Sequence, residues 1–367
     1  MQIYDSFTER KNGMEKRLSK DTLMLLKDIE NRIEPEIEED FENQWRDFLF
    51  DRFNGGIFEP CRKKLSVSSA DYVRIDNIND AVDDFDAMLR HQLQDVSASL
   101  SKPNCNICIR ANYGTGILSS VFGAEIFYMP RKTNTLPTTR AVGDTEWIRA
   151  AVEKGMPSIE NGFGEKVFRF GELCAEVFEN YPKIKKYVKV YHPDLQGPLD
   201  ICELLWGGEM FYAMYDEPQL VHGILRLITD TYAAFMDKWF EIFPRNTEMN
   251  PHWNSLYHRG SVLLRNDSAM NLSPELYREY AMPYDGELLK RYGGAVHFCG
   301  RGDHYIEDLC SLSGLYGVNM SQPHLNDMEK IYRSTVDKGI KLLAFNKQVA
   351  EKDFSRSGGF NHNLSAR

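Results

Sequence analysis

Six short apolar runs, Asn106–Ala111, Lys186–Tyr191, Val262–Arg265, Ala295–Phe298, Tyr316–Met320 and Lys341–Phe345, alternate along the chain with stretches patterned for amphipathic helices. Runs of this length and apolarity, separated by helices, are how the strands of a parallel sheet read when both faces are covered. Val221, Ile224, Leu225, Ile228, Tyr232 and Phe235 form one stripe of such a helix over 218–240. Another start is marked by Ser273-Pro274-Glu275, an N-cap followed by proline at the first helical position. Polar residues fall directly after the runs: Asn112 and Tyr113, His192 and Asp194, Asn266 and Asp267, Cys299, Ser321 and Gln322. That regularity is expected of the C-terminal rim of a (β/α)8 barrel, where the active site sits. The sequence therefore predicts an α/β protein, a (β/α)8 TIM barrel over residues 101–367 with a helical N-terminal extension over 1–100.

In the extension, Leu23, Leu26, Ile29 and Ile33 recur at helical spacing among many acids, and Val82, Phe85, Met88, Leu89 and Leu93 mark a helix across Asp80 to Val96. Trp45, Phe48 and Phe50 would either line a homodimer interface or pack the extension onto the barrel. No G-x-G-x-x-G follows a strand and no P-loop lysine motif occurs, which argues against a dinucleotide or NTP fold.

The balance of 44 basic and 54 acidic residues gives a net charge of −10. With no long Lys/Arg block, a nucleic-acid groove is not expected, and the expected partner is a small-molecule substrate or another protein. No stretch approaches the roughly 18 consecutive apolar residues of a membrane span. The first residues, MQIYDSFTERKNGMEKRL, are charged where a signal peptide is apolar. A cytoplasmic protein is the expectation. Seven cysteines, at 61, 105, 108, 174, 202, 299 and 310, make no disulfide framework and are expected to be reduced. Cys105 and Cys108 lie in a strand-like run that points them to opposite sides, so a structural role is expected.

The run Gly293-Gly294-Ala295-Val296-His297-Phe298-Cys299-Gly300 carries the clearest chemistry. Residues two apart on a strand share a face, so the His297 imidazole and the Cys299 sulfur can converge as two ligands of a zinc ion. The same pair also occurs as ordinary buried side chains.

Three segments resemble the uroporphyrinogen decarboxylase superfamily: His192-Pro193-Asp194-Leu195-Gln196-Gly197-Pro198-Leu199-Asp200; Asn266-Asp267 with Leu272-Ser273-Pro274-Glu275 and Met282-Pro283-Tyr284; and His297-Phe298-Cys299-Gly300. The resemblance covers about Tyr187 to Gly339 and implies a (β/α)8 barrel. One branch of that superfamily removes carboxylates from tetrapyrroles without a cofactor, using paired N-terminal arginines; Arg52, Arg62 and Arg74 here are isolated. The other resembles methylcobamide:coenzyme M methyltransferases, in which zinc on His-x-Cys and a later cysteine activates a thiol for methyl transfer. His297 and Cys299 match the first two ligands. No cysteine follows Cys310, so the resemblance leaves the third ligand open.

His324, after the next strand, ranks first as a replacement, ahead of Cys310, His304 and His362. Other rim residues carry two readings each. Asp267 either contacts substrate or interacts with the N–H groups of the following helix. Asp194 and Gln196 bind a cofactor or hold the Gly197-Pro198 turn. Tyr113 stacks on a cofactor or caps the barrel. Three functions are expected in order: a corrinoid-dependent methyltransferase with zinc on His297 and Cys299, a methylated corrinoid on a separate small corrinoid-carrying protein and a thiol-like acceptor; a metal-free lyase in which Asp267 stabilises a protonated pyrrole; or a non-catalytic barrel that binds a corrinoid or tetrapyrrole. Arg110, Arg265 and Arg301 pointing into one cavity would favour the lyase.

Overall fold

The computed structural model describes residues 18–356 and 359–367. The signal-peptide argument rests on the first residues, and 1–17 lie outside the described residues. The strands are β1 (Cys108–Ile109), β2 (Ile126–Phe127), β3 (Thr138–Thr139), β4 (Lys189–Val190), β5 (Asn250–His252), β6 (Leu256–His258), β7 (Val262–Arg265), β8 (Gly294–Phe298), β9 (Leu315–Met320), β10 (Lys341–Phe345) and β11 (Leu364–Ala366).

The last five form one parallel sheet in the order β11-β10-β9-β8-β7. Phe58 extends it through a parallel bridge to Ser365. β1 and β4 form a separate parallel pair, while β2-β3 and β5-β6 are antiparallel hairpins. Helices connect the parallel strands, as such crossovers require.

Alternation along the strands divides the core. Val262, Leu264, Val296, Val318 and Leu342 face the helical layer. Leu263, Ala295 and Leu343 face the opposite side, packed with Leu256 and Tyr257 of the β5-β6 hairpin and with Phe41, Trp45, Phe48 and Phe58. The hairpin thus lies against the inner face of the sheet.

Among the described residues, backbone pairing does not close the sheet into the expected barrel: β4 is not paired with β7, nor β1 with the Phe58 segment. Other groups satisfy the two edges. The Leu263 N–H donates to His192 Nε2 at 2.9 Å, and the Asn106 N–H donates to the Asn254 carbonyl of the hairpin at 2.8 Å. Buried backbone groups need such partners wherever a ladder stops.

The extension forms helices Lys20–Arg32 and Pro35–Leu49, the first capped by the Ser19 hydroxyl accepting the Thr22 N–H, the second opened by proline. Trp45 and Phe48 are fully buried within this chain, which removes them from any dimer interface. The helix expected across Asp80 to Val96 is instead a short 3-10 turn, Ile78–Ala81, and a helix Phe85–Ser99 capped by Asp84. No helix among the described residues is long and apolar enough to cross a membrane. All seven cysteines are unpaired, and the buried Cys108 thiol donates to the Trp253 carbonyl at 2.8 Å.

Candidate metal centre

The C-terminal ends of β7, β8 and β9 lie side by side, with Arg265 opposite His297 and His297 opposite Asn319. This register gathers the residues that follow each strand. The His297 Nδ1–H donates to Asn319 Oδ1 at 2.6 Å, and Asn319 in turn donates from Nδ2 to the Leu343 carbonyl at 2.6 Å. The second bond orients the amide so that its oxygen faces the imidazole. The proton is therefore on Nδ1 and the Nε2 lone pair is available.

That nitrogen lies 3.3 Å from Cys299 Sγ and 3.7 Å from Asp267 Oδ1. Three ligand atoms, one N, one S and one O, fall within 4.8 Å of one another, the one such grouping of His, Cys, Asp and Glu among the described residues. Zinc bonds of about 2.0–2.3 Å at tetrahedral angles would separate donor atoms by roughly 3.3–3.6 Å. The His297–Cys299 spacing lies in that range and the His297–Asp267 spacing slightly above it, and a set of three protein ligands leaves a fourth position open.

Burial is the main cause that lowers the His297 pKa, and the Arg265 charge acts in the same direction, so the ring is held neutral. Burial raises the Cys299 thiol pKa, partly offset by Ser321, while the Asp267 charge adds to the rise. A bound divalent cation would oppose the burial and the Asp267 charge by favouring the thiolate.

Of its two sequence readings, Asp267 does not take the helix-capping one. The turn Ser268–Asn271 has no side-chain cap of its own. Asp200 instead accepts the N–H groups of Asp267 at 2.9 Å and Ser268 at 2.8 Å. Asp267 Oδ1 accepts the Cys299 N–H at 2.7 Å. A cavity of about 350 Å³ opens beside this carboxylate, lined by Thr115, Thr139, Gln196, Asp200, Asp267 and Ser268 among others.

Several expected site residues lie elsewhere. His324, ranked first as third ligand, is exposed on the short turn Pro323–Leu325 and does not join the cluster. The turn carries it past the strand end, and Asp267, two residues beyond β7, reaches the position instead. His304 Nε2 bonds the Leu272 carbonyl and His362 Nδ1 the Gly55 carbonyl; Cys310 is outside the cluster as well. Tyr113 is fully buried with its ring against Phe163, not turned to the triad. Asp194 is buried between Arg110 and Arg265, at 3.0 and 2.9 Å, and also accepts from Gln196. Gln196, with a left-handed φ of 67°, holds this bend while lining the cavity. Arg110 and Arg265 thus converge, neutralised in part by Asp194, whereas Arg301 is largely exposed and paired with Asp303.

Three contributors escaped sequence reasoning. Asn319, a polar residue inside an apolar run, is the one whose signal was present. Asp200 sits in a quoted motif without any sign of its partner. Trp253, at φ 50° on the β5-β6 connection, has no sequence signal. Its ring meets His297 edge-on at 5.3 Å between centroids and lies under the Arg265 guanidinium at 4.6 Å.

No family model matches the chain, and no curated protein matches it in sequence. Solved structures do match in fold. A methyltransferase from Methanosarcina mazei superposes with a TM-score of 0.60 at 12% identity, over 89% of this chain and 92% of that one. At that identity the likeness concerns the fold.

Proposed function

We propose that this protein is a corrinoid-dependent methyltransferase in which His297, Cys299 and Asp267 hold zinc. The observation that carries the reading is the convergence of three donor atoms around an imidazole whose tautomer Asn319 has already set. We also propose that Phe58, β1, β4 and β7 to β11 are the eight strands of a (β/α)8 barrel, with side chains and the hairpin bridging its two unpaired edges. The fold likeness to a methyltransferase of comparable length supports this.

When bound, zinc lowers the pKa of a coordinated thiol and holds the thiolate as nucleophile. The chain's own residues prepare for that. His297 stays neutral, Cys299 gives up its proton on loading, and Asp267 supplies the second negative charge. The cavity beside Asp267 receives a small soft nucleophile, and Trp253 shields the inner side of the imidazole from water. The methyl donor is a methylated corrinoid presented by a separate small protein, and the setting is cytoplasmic. The methyl–sulfur bond would form as the methyl–cobalt bond breaks heterolytically, its electron pair staying with the corrinoid as cobalt(I), while the thiol proton passes to solvent.

The test is to incubate zinc-loaded protein with methylcobalamin and a panel of small thiols, following the corrinoid spectrum and the thioether by mass. Protein-dependent thioether formation that disappears in Cys299→Ser is expected. Loss of methylcobalamin at the protein-free rate with every thiol would overturn the proposal.

A further inference from the structure

Asp200 lies in the first turn of the helix Pro198–Trp206 and is 4% exposed. Both of its carboxylate oxygens are engaged, one on the N–H of Asp267 and one on that of Ser268. These are the first donors of the turn Ser268–Asn271, left without partners inside it, and the two bonds fix where the Asp267 backbone sits. The Asp267 side chain makes no cap bond to its own turn. It points across to β8, where Oδ1 accepts the Cys299 N–H and stands 3.7 Å from His297 Nε2.

We infer that Asp200 is a positioning residue for the metal centre: by accepting the backbone N–H groups of Asp267 and Ser268, it anchors the turn from which the Asp267 carboxylate reaches the position of third ligand. The inference rests on the metal reading of the triad. Its physical content is that one aspartate anchors the backbone of another, across two elements that these bonds and their packing hold together. Groups that orient metal ligands in this way typically change metal affinity by about tenfold to a hundredfold.

The neutral isostere Asp200→Asn retains one acceptor and turns an amide N–H toward the other backbone donor. One of the two N–H groups then loses its acceptor, the start of the turn is no longer anchored, and the Asp267 carboxylate shifts away from Cys299 and His297. Because Asp200 works through Asp267, the two substitutions must be non-additive. A variant that only loosened the fold would add its loss to that of Asp267→Asn.

The experiment measures zinc affinity by competition with a chromophoric chelator, and the thiolate-to-cobalt absorption band after Co²⁺ loading. It compares the wild-type protein with Asp200→Asn, Asp267→Asn and the double variant. Asp200→Asn is expected to weaken zinc binding about tenfold to a hundredfold while the Cys299 thiolate band persists. The double variant should bind within about twofold of Asp267→Asn alone. Should Asp200→Asn fail to fold, Asp200→Ser, which also keeps a single acceptor, is taken through the same cycle. Wild-type affinity in the Asp200 variant, or fully additive losses, overturns this inference alone. A wild-type protein that takes up no metal overturns the metal reading and this inference with it.

Discussion

Replacing Asn319 with leucine removes the group that assigns the His297 proton. The side chain is 4% exposed and makes two bonds of 2.6 Å, one accepting from His297 Nδ1–H and one donating to the Leu343 carbonyl. Leucine is close in size, so packing is kept while both partners are left buried and unpaired. Each such orphan costs about 1–3 kcal/mol, which makes a stability loss of about 2–6 kcal/mol. The effect on metal is separate. Without the Asn319 oxygen the imidazole no longer prefers the Nδ1–H form, and its ring is free to tilt away from Cys299. A zinc affinity lower by about tenfold to a hundredfold follows, or about 1.4–2.7 kcal/mol. Urea unfolding of the metal-free protein gives the first quantity and chelator competition the second. Zinc binding within twofold of wild type, in a variant destabilised as described, would refute the idea that Asn319 sets the ligand.

Stability should fall as pH rises from 6.5 to 8. The buried Asp285 carboxyl is pushed up to about 8, chiefly by burial and then by the Asp200 charge against its hydrogen bond from Asn266. The folded state therefore binds more protons than the unfolded chain above pH 4, and across 6.5 to 8 this alone removes about 2 kcal/mol. His192 and His258, both lowered to about 4 by burial, act oppositely as pH falls through their unfolded value of 6.5, so they offset part of this loss at the lower end of the window. Asp285→Asn should reduce the fall of the urea midpoint between pH 6.5 and 8, the remainder coming from Asp200, pushed up to about 7 chiefly by burial; an unchanged slope would rule out Asp285 as a source. Co²⁺ loading should quench tryptophan emission chiefly through Trp253, whose ring meets the His297 imidazole. Trp253→Phe should then remove most of the quenching, and its full retention would place the metal elsewhere.

The sheet was largely legible because strands buried on both faces leave an apolar run. β7 and β10 match the runs Val262–Arg265 and Lys341–Phe345, while β8 and β9 each begin one residue earlier than read. The runs 106–111 and 186–191 shrink to two paired residues each, β1 and β4. At their ends the neighbouring groups bond to the hairpin and to His192 rather than to a strand. β11, a three-residue strand directly after Asn361-His362-Asn363, and the hairpin strands around Trp253 carry no apolar alternation that could announce them. In the site, the His297-x-Cys299 face followed directly from strand periodicity. The third donor did not, because it depends on how far β7 and its turn reach beside β8 and on which aspartate caps that turn. Neither quantity is written in local spacing, and so His324 seemed better placed than Asp267.

Metal content measured on protein purified without chelator is the most direct test of the centre. Wild-type protein and His324→Ala should each carry near-stoichiometric zinc, while His297→Ala, Cys299→Ser and Asp267→Asn should each lose it. Zinc lost in His324→Ala and kept in Asp267→Asn would contradict the ligand set, and no zinc in wild type after reconstitution under reducing conditions would contradict the metal centre itself.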